Sequence, residues 1–252
     1  MSAALIAALA ICMVGTAFLS GLFGMAGGLI LIGILLALLP LPEAMALHAV
    51  TQMASNGWRG LLWWRHIRFG AAAGYLIGSV LGLAVWSLFR YVPDKAVAML
   101  FLGLAPFAVT LLPKGWKPDA ARLDHGILYG VLCMSLMLLT GVVGPLIDTF
   151  FLGGKLDRRE IVATKALCQV AGHTMKLIYF TGIATSAGAI DGTLLAVAIA
   201  ASLVGTTAAR RFLEAMSDAQ YRNWSTRIIV SICAFYVLGG LYLLAVPVLA
   251  AA

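Results

Sequence analysis

The sequence predicts an all-α, polytopic integral membrane protein made of two inverted-topology repeats, each with a glycine-broken helix. Three observations predict it: an apolar composition, a repeat at fixed offset, and loop charges that change sides between the copies. Hydrophobic residues make up 62% of the chain and charged residues 11%, with a mean hydropathy of +1.01. A soluble domain carries roughly a quarter charged residues to keep its surface hydrated. The apolar runs Leu5–Leu22, Gly70–Leu88 and Ile228–Ala252 approach or reach the roughly 20 residues that a helix needs to cross the hydrocarbon core. Pro247 alone interrupts the third.

The formal charge of +7 does not indicate nucleic acid. Lys and Arg gather in cytoplasmic loops of membrane proteins, and no soluble domain flanks the apolar segments to bind a polyanion. Leu5–Leu22 lacks the basic leader and polar cleavage region of a signal peptide, so it is expected to be retained. Cys12, Cys133, Cys168 and Cys233 fall singly inside apolar segments. They are expected to act as small hydrophobes, not as disulfides or metal ligands.

The repeat is the second observation. Gln52 and Gln169 lie 117 positions apart, and that offset aligns Gly24–Trp63 with Gly141–Phe180 without a gap. Eleven identities result, among them Gly24/Gly141, Gly27/Gly144, Glu43/Glu160 and Gln52/Gln169. Roughly three or four would be expected by chance in so biased a composition. The halves are residues 1–122 and 123–252, each read as five segments. The first holds Leu5–Leu22, Leu29–Leu39, Ala44–Trp64, Ala71–Phe89 and Ala96–Leu112. The second holds Gly126–Leu139, Leu146–Leu156, Ile161–Phe180, Gly192–Arg210 and Tyr221–Val246. The second segment of each half is too short to span upright, so the number of membrane segments is about 8–10. Each short segment follows a break, Gly-Met-Ala-Gly-Gly at 24–28 and Gly-Val-Val-Gly-Pro at 141–145. Broken helices at matching places in two halves are the best sequence pointer to a transport site, because freed backbone groups must be buried in protein or line a wet cavity.

Loop charge is the third observation. Arg65 and Arg68 follow the third segment of the first half, whereas Arg158 and Arg159 precede the third segment of the second. Lys114, Lys117 and Arg122 lie between the halves, and Arg210, Arg211 and Arg222 follow the ninth segment. The loops 40–43 and 181–191 carry no Lys or Arg; Arg90 and Lys95 alone dissent. With basic loops inside, the third segments run in opposite directions, and both termini are expected on the non-cytoplasmic side.

The third segment of each half carries a polar stripe, His48, Gln52, Asn56 and Arg59 in one and Lys165, Gln169, His173 and Lys176 in the other. Steps of four, four and three keep each set on one helix face. A cation at the centre of a membrane helix costs roughly 2.5–3.5 kcal/mol on insertion scales, so such residues face a cavity or a partner. Single polar residues can merely join helices, and Arg59 or Lys176 could reach an interface. Two matching stripes beside two broken helices point instead to a pathway. The stripes hold no carboxylate. Cations, amides and opened helix N-termini together suit an anion. Glu43 and Glu160 sit where they would stabilise a helix start. Asp148, just past the second break, is expected to pair with Lys165 or Lys176, with relay of a proton as the alternative.

The stretch Gly-Leu-Phe-Gly-Met-Ala-Gly-Gly at 21–28, with its short apolar run and a second copy half a chain later, resembles the TauE/SafE family of sulfite and organosulfonate permeases. The stretch Ala163 to Gln169, followed by His173 and Lys176, is similar to part of one branch of that family. The resemblance covers nearly the whole chain. It implies a multi-pass transporter of the bacterial inner membrane, exporting or sometimes importing sulfite, sulfoacetate or related anions. By the same resemblance, substrate would meet Gly24, Gly27, Gly28, Gly141, Gly144 and the stripe residues; family first repeats often show a fuller glycine run where this chain has Met25-Ala26-Gly27-Gly28, and the second break ends in Pro145.

Other classes fit less well. A thiol relay needs two cysteines that can meet, an intramembrane hydrolase an activated nucleophile, and a divalent-metal transporter clustered His and carboxylates. No enzyme activity, cofactor or metal is expected; the partners are a small anion and the lipid bilayer. A passive anion channel would need the same donors and is the alternative. With the inside negative, a monovalent anion gains about 2.3 kcal/mol per 100 mV on leaving, so export is downhill without proton coupling.

Overall fold

The computed structural model describes residues 3–23, 26–108, 118–152, 156–183, 191–215 and 218–250, and among these the chain forms helices and no strand. Ten α-helices follow in order: α1 Ala3–Phe23, α2 Ala26–Leu38, α3 Leu41–Leu62, α4 Phe69–Phe89, α5 Lys95–Ala108, α6 Leu123–Thr140, α7 Gly144–Leu152, α8 Arg158–Ile178, α9 Gly192–Ala215 and α10 Asp218–Ala250. A 3-10 turn, Trp64–His66, follows α3, and a π-helical turn, Tyr179–Ile183, follows α8. All ten expected segments are present, displaced by a few residues at their ends. The expected C-terminus of the fifth, at Leu112, lies outside the described residues, as does Gly24.

Among the described residues four stretches are long and apolar enough to cross a membrane: Ala4–Leu22, Phe69–Phe89, Leu123–Thr140 and Gly192–Ala209. Their outward faces carry large apolar side chains such as Ile11, Leu88 and Val204, a surface suited to lipid. The stripe-bearing α3 and α8 are long enough but too polar to belong with these four. They pack against each other between two flanking pairs, α1 with α9 and α4 with α6. The most polar helices are thereby kept from lipid, as the cost of intramembrane charge requires.

Helix directions establish how the halves are related. Along α3 and α8, Gly60 faces Ala166, Gly57 faces Val170 and His48 meets Lys176, so these helices run antiparallel. Along α5 and α10, Gly103 lies against Cys233 and Val237, whereas Met99 lies against Gly239; this pair is antiparallel too. α4 and α6 run parallel, with Gly74 against Gly126 and Gly82 against Val131 and Met134. α1 and α9 also run parallel, with Gly205 against Val14 and Ala17 and Gly21 against Thr206 and Ala209. Exchanging α1–α5 for α6–α10 turns α1/α9 into α6/α4 and returns α3/α8 and α5/α10 to themselves. A two-fold axis that pairs antiparallel helices lies across them, in the membrane plane, and the two repeats are therefore inverted.

α4 approaches α6 through Gly74, Gly78 and Gly82, a four-residue spacing that brings small residues to one face and lets helix backbones meet in lipid. A Cβ at Gly78 would come within 2.9 Å of the Ile127 Cα and 2.8 Å of its carbonyl carbon, and backbone cannot rotate out of the way. Overpacking of this kind costs typically about 1–3 kcal/mol or more. Gly78→Leu is expected to lower the unfolding midpoint of the detergent-solubilised protein clearly, while Gly70→Ala, where a Cβ meets nothing within 4 Å, leaves it unchanged in the same melt.

Candidate functional site

The start of α8 is fixed by a capping box. The Asp157 carboxylate accepts from the backbone N–H groups of Arg159 and Glu160, and Glu160 accepts from the backbone N–H of Asp157. Two orphan donor sets are satisfied reciprocally. The other Glu160 oxygen takes an ion pair from Arg68, whose own backbone N–H donates to Thr164 Oγ1 at 3.0 Å. Arg159 lies over the Trp63 ring, 5.7 Å from its centroid. The C-terminal end of α3 and the N-terminal end of α8 are thus joined at the basic face, which the positive-inside rule places in the cytoplasm. Glu160 serves as the expected N-terminal carboxylate and as this cross-link.

A polar cavity lies beyond that joint. It is lined by Gly28, Gln52, Asn56 and Arg59 from the first half, and by Val142, Val143, Gly144, Lys165, Gln169 and His173 from the second. Gln52 and Gln169 share one cavity, as two inverted copies with the amides at matching depth require. Asn56 is buried and donates to the Gln52 carbonyl. Arg59 donates to Asn56 Oδ1 at 3.5 Å and to the Ser20 carbonyl at 3.4 Å. Lys165 pairs with Asp148 on α7, with 18% and 25% of the two side chains exposed, which settles which lysine Asp148 takes. Gln169 Oε1 and His173 Nδ1 are buried without a protein partner. Both belong to residues that line the cavity.

The stripes divide at the far end. His48 and Lys176 are fully buried and do not line the cavity. Lys176 Nζ lies 2.8 Å from His48 Nδ1 and donates to the Gly141 carbonyl at 2.9 Å. His48 Nε2 lies 3.0 Å from the Gly28 carbonyl. A carbonyl only accepts, so the network assigns the ring hydrogen to Nε2 and leaves Nδ1 to accept from Lys176. The His48 and His173 rings meet edge-on, 5.6 Å between centroids.

The break glycines divide as well. A Cβ at Gly28 would sit 3.2 Å from Gln52 Oε1, so this position keeps the start of α2 open to the cavity amide. One at Gly27 would strike the backbone of α1 at Thr16 and Ser20, and Gly27 therefore serves helix packing. Gly141 ends α6 at φ 84°, a left-handed C-cap that glycine adopts without cost; its carbonyl holds Lys176. Gly144 begins α7 and lines the cavity, and Pro145 occupies the next position of α7. Val142 and Val143, between the helices of the second break, line the cavity without any polar signal in the sequence that could have marked them.

A polar cavity enclosed by apolar helices, with broken helix ends and two cations facing it, defines a polytopic α-helical membrane protein with a polar interior. The model of the sulfite exporter TauE/SafE family matches residues 8–237. The chain belongs to that family, and it is a multi-pass membrane protein. No curated protein and no solved structure matches it.

The joint at the basic face is sensitive to acid. Backbone N–H donors from Glu160 and Arg159 hold the Asp157 carboxyl below the usual carboxylate range. A depressed folded-state value adds stability that is present above the ordinary carboxylate range and lost as the pH falls through it. The thermal midpoint is expected to fall between pH 5 and pH 3 (~) by more in the native protein than in Asp157→Ala, which has already lost the cap.

Proposed function

We propose that the protein carries a small sulfur-containing oxyanion, such as sulfite or an organosulfonate, across the bacterial inner membrane in the outward direction. The halves 1–122 and 123–252 each supply one broken helix and one stripe to a shared binding site. The observation that carries this reading is the set of donors around one cavity. Arg59, Lys165, the amides of Gln52, Asn56 and Gln169, and the N-terminal ends of α2 and α7 all face it. An oxyanion presents several acceptors in a compact volume and takes charge-assisted hydrogen bonds from such groups. Helix N-termini add their partial positive charge. Among the described residues the lining of this cavity holds no carboxylate, and Asp148 is already held by Lys165.

His48 and Lys176 are removed from direct contact with the anion in this reading. Both sit behind the cavity wall, and their role is to hold the two breaks through the Gly28 and Gly141 carbonyls. The passive channel shares the same donors. Proteoliposome flux separates the two, since a carrier saturates and shows counterflow.

The binding reading ranks the substitutions. Losing a charge-assisted hydrogen bond costs about 1.5–3 kcal/mol, roughly tenfold to a hundredfold in affinity, and losing a neutral donor costs about 0.5–1.5 kcal/mol. Arg59→Gln and Lys165→Gln are therefore expected to raise KM for sulfite efflux from membrane vesicles by more than Gln52→Ala or Gln169→Ala do. Unchanged KM in both cation variants, at normal expression, would remove the main support for an anion site.

A further inference from the structure

Two features of the chain have no part in the central cavity. Arg90 and Lys95 are the cations that the loop-charge pattern puts on the non-cytoplasmic side, where short loops of membrane proteins carry few. A second cavity, of about 690 Å³, lies between α2, α5 and α10. Pockets that take a small molecule span roughly 300–1,000 Å³. The two features meet, because Lys95 is the one charged residue among the described residues that line this cavity.

The cavity is a groove that follows α10 from Ser231 to Leu243, about 18 Å at the helical rise per residue. One leaflet's share of the hydrocarbon core is roughly 15 Å. α5 and α10 pack antiparallel, with Met99 against Gly239 and Leu100 against Gly240, and that register brings Lys95 level with Leu243. α2 lies alongside with Gly33 against Tyr236. The cation therefore stands at one end of the groove, and apolar side chains make up most of the rest. At the Lys95 end Tyr242 is exposed, as a tyrosine at the headgroup boundary is. The floor is closed by Tyr236, which is buried and donates its hydroxyl to the Leu29 carbonyl in the first turn of α2. Phe235 is exposed on the same helix, so the groove opens on the lipid-facing side.

We propose that this groove binds an anionic diacyl phospholipid, with one acyl chain along α10 and the phosphodiester on Lys95. An apolar channel one leaflet long with a single cation at headgroup depth matches both parts of such a lipid. The loop selects the charge. Arg90, Asp94 and Lys95 together leave it one net positive charge. The Asp94 carboxylate is turned to the first turn of α5, where it accepts from the Val97 backbone N–H at 2.8 Å. None of the ion pairs among the described residues includes Lys95. A lysine at the membrane surface attracts anionic lipid, and its ammonium serves a phosphate as a point charge. A second copy of the chain fits this face less well. An isologous contact sets a patch against itself, which would place two grooves mouth to mouth and two Lys95 ammonium groups at one depth. The lipid site is also separate from the polar cavity: Gly28 faces Gln52, whereas Gly33 and Ile34 line the groove. It does not depend on what the polar cavity carries.

Phospholipid probes with a photoactivatable acyl chain test this in phosphatidylcholine vesicles that contain the reconstituted protein. Met99 lines the groove, and labelling there is read by peptide mass spectrometry. A phosphatidylglycerol probe is expected to label Met99 about tenfold more than a phosphatidylcholine probe, ~1.4 kcal/mol in favour of the anionic headgroup. Lys95→Gln should bring the two probes to parity, and Lys95→Arg should keep the preference. Ala37→Trp, which sets a ring into the groove wall near its Lys95 end, should lower labelling by both probes. Anionic lipid also collects at the basic cytoplasmic loops, and the dependence of Met99 labelling on Lys95 separates the groove from them. Equal labelling of the native protein by the two probes overturns the proposal, and so does a preference that Lys95→Gln leaves unchanged. A detergent-solubilised dimer that Ala37→Trp splits into monomers, with no labelling at Met99, gives the groove to a second copy and overturns it too.

Discussion

A charged side chain inside a bilayer must find a partner or water, and the rest of this structure depends on how that requirement is met by α3 and α8. Between them these helices carry Arg59, Lys165 and Lys176 in their stripes, and none of the three faces lipid. Lys176 is buried against a ring nitrogen and a carbonyl, Lys165 against a carboxylate, and Arg59 against an amide and a carbonyl. Placing α3 against α8 at the centre leaves α1, α4, α6 and α9 to face the acyl chains. The apolar composition of the flanking helices and the polarity of the central pair are therefore one constraint seen from two sides.

The breaks follow from the same constraint. A helix that ends inside the membrane exposes carbonyls at one end and N–H groups at the other, and both need partners. At the second break the Gly141 carbonyl, freed at the end of α6, has Lys176; at the first, His48 bonds to the Gly28 carbonyl in the first turn of α2. Charged and broken elements thus satisfy each other. Lys176 could not be buried without the freed carbonyl of the second break, and that carbonyl would be an unpaired acceptor without Lys176.

Much of this was legible in the sequence because it is periodic. The 117-residue offset, the matching breaks and the loop charges are pattern properties, and the ten segments, their inversion and the shared depth of Gln52 and Gln169 follow from them. Periodicity fixes a residue's face on its helix but not the depth of the neighbour it meets. His48 and Lys176 belong to the same stripes as Gln52 and Gln169, yet the Gly28 carbonyl in the first turn of α2 and the Gly141 carbonyl at the end of α6 draw them behind the cavity wall. Gly27 and Gly28 are adjacent and chemically identical; one meets the backbone of α1 and the other the side chain of Gln52. Val142 and Val143 carried no signal because their cavity role comes from lying in the break. The glycine spacing of α4 was visible in the sequence, but its meaning depended on knowing that α6 lies parallel beside it.

Symmetry of fold is combined in this protein with asymmetry of residues. Here the amides at the centre are the same in both copies, Gln52 and Gln169, and the ends differ. Lys176 meets His48, whereas the equivalent positions hold Arg59, which donates to Asn56 and the Ser20 carbonyl, and Lys165, which pairs with Asp148. Asp148 follows the same division, since its counterpart in the first half is Leu31, a buried apolar residue. The second half needs a carboxylate to hold its lysine beside the cavity, whereas the first half needs none, because His48 can accept a proton donor directly. Duplication thus preserved the amides that both halves turn to the shared cavity, while the charged ends diverged in the partners they take.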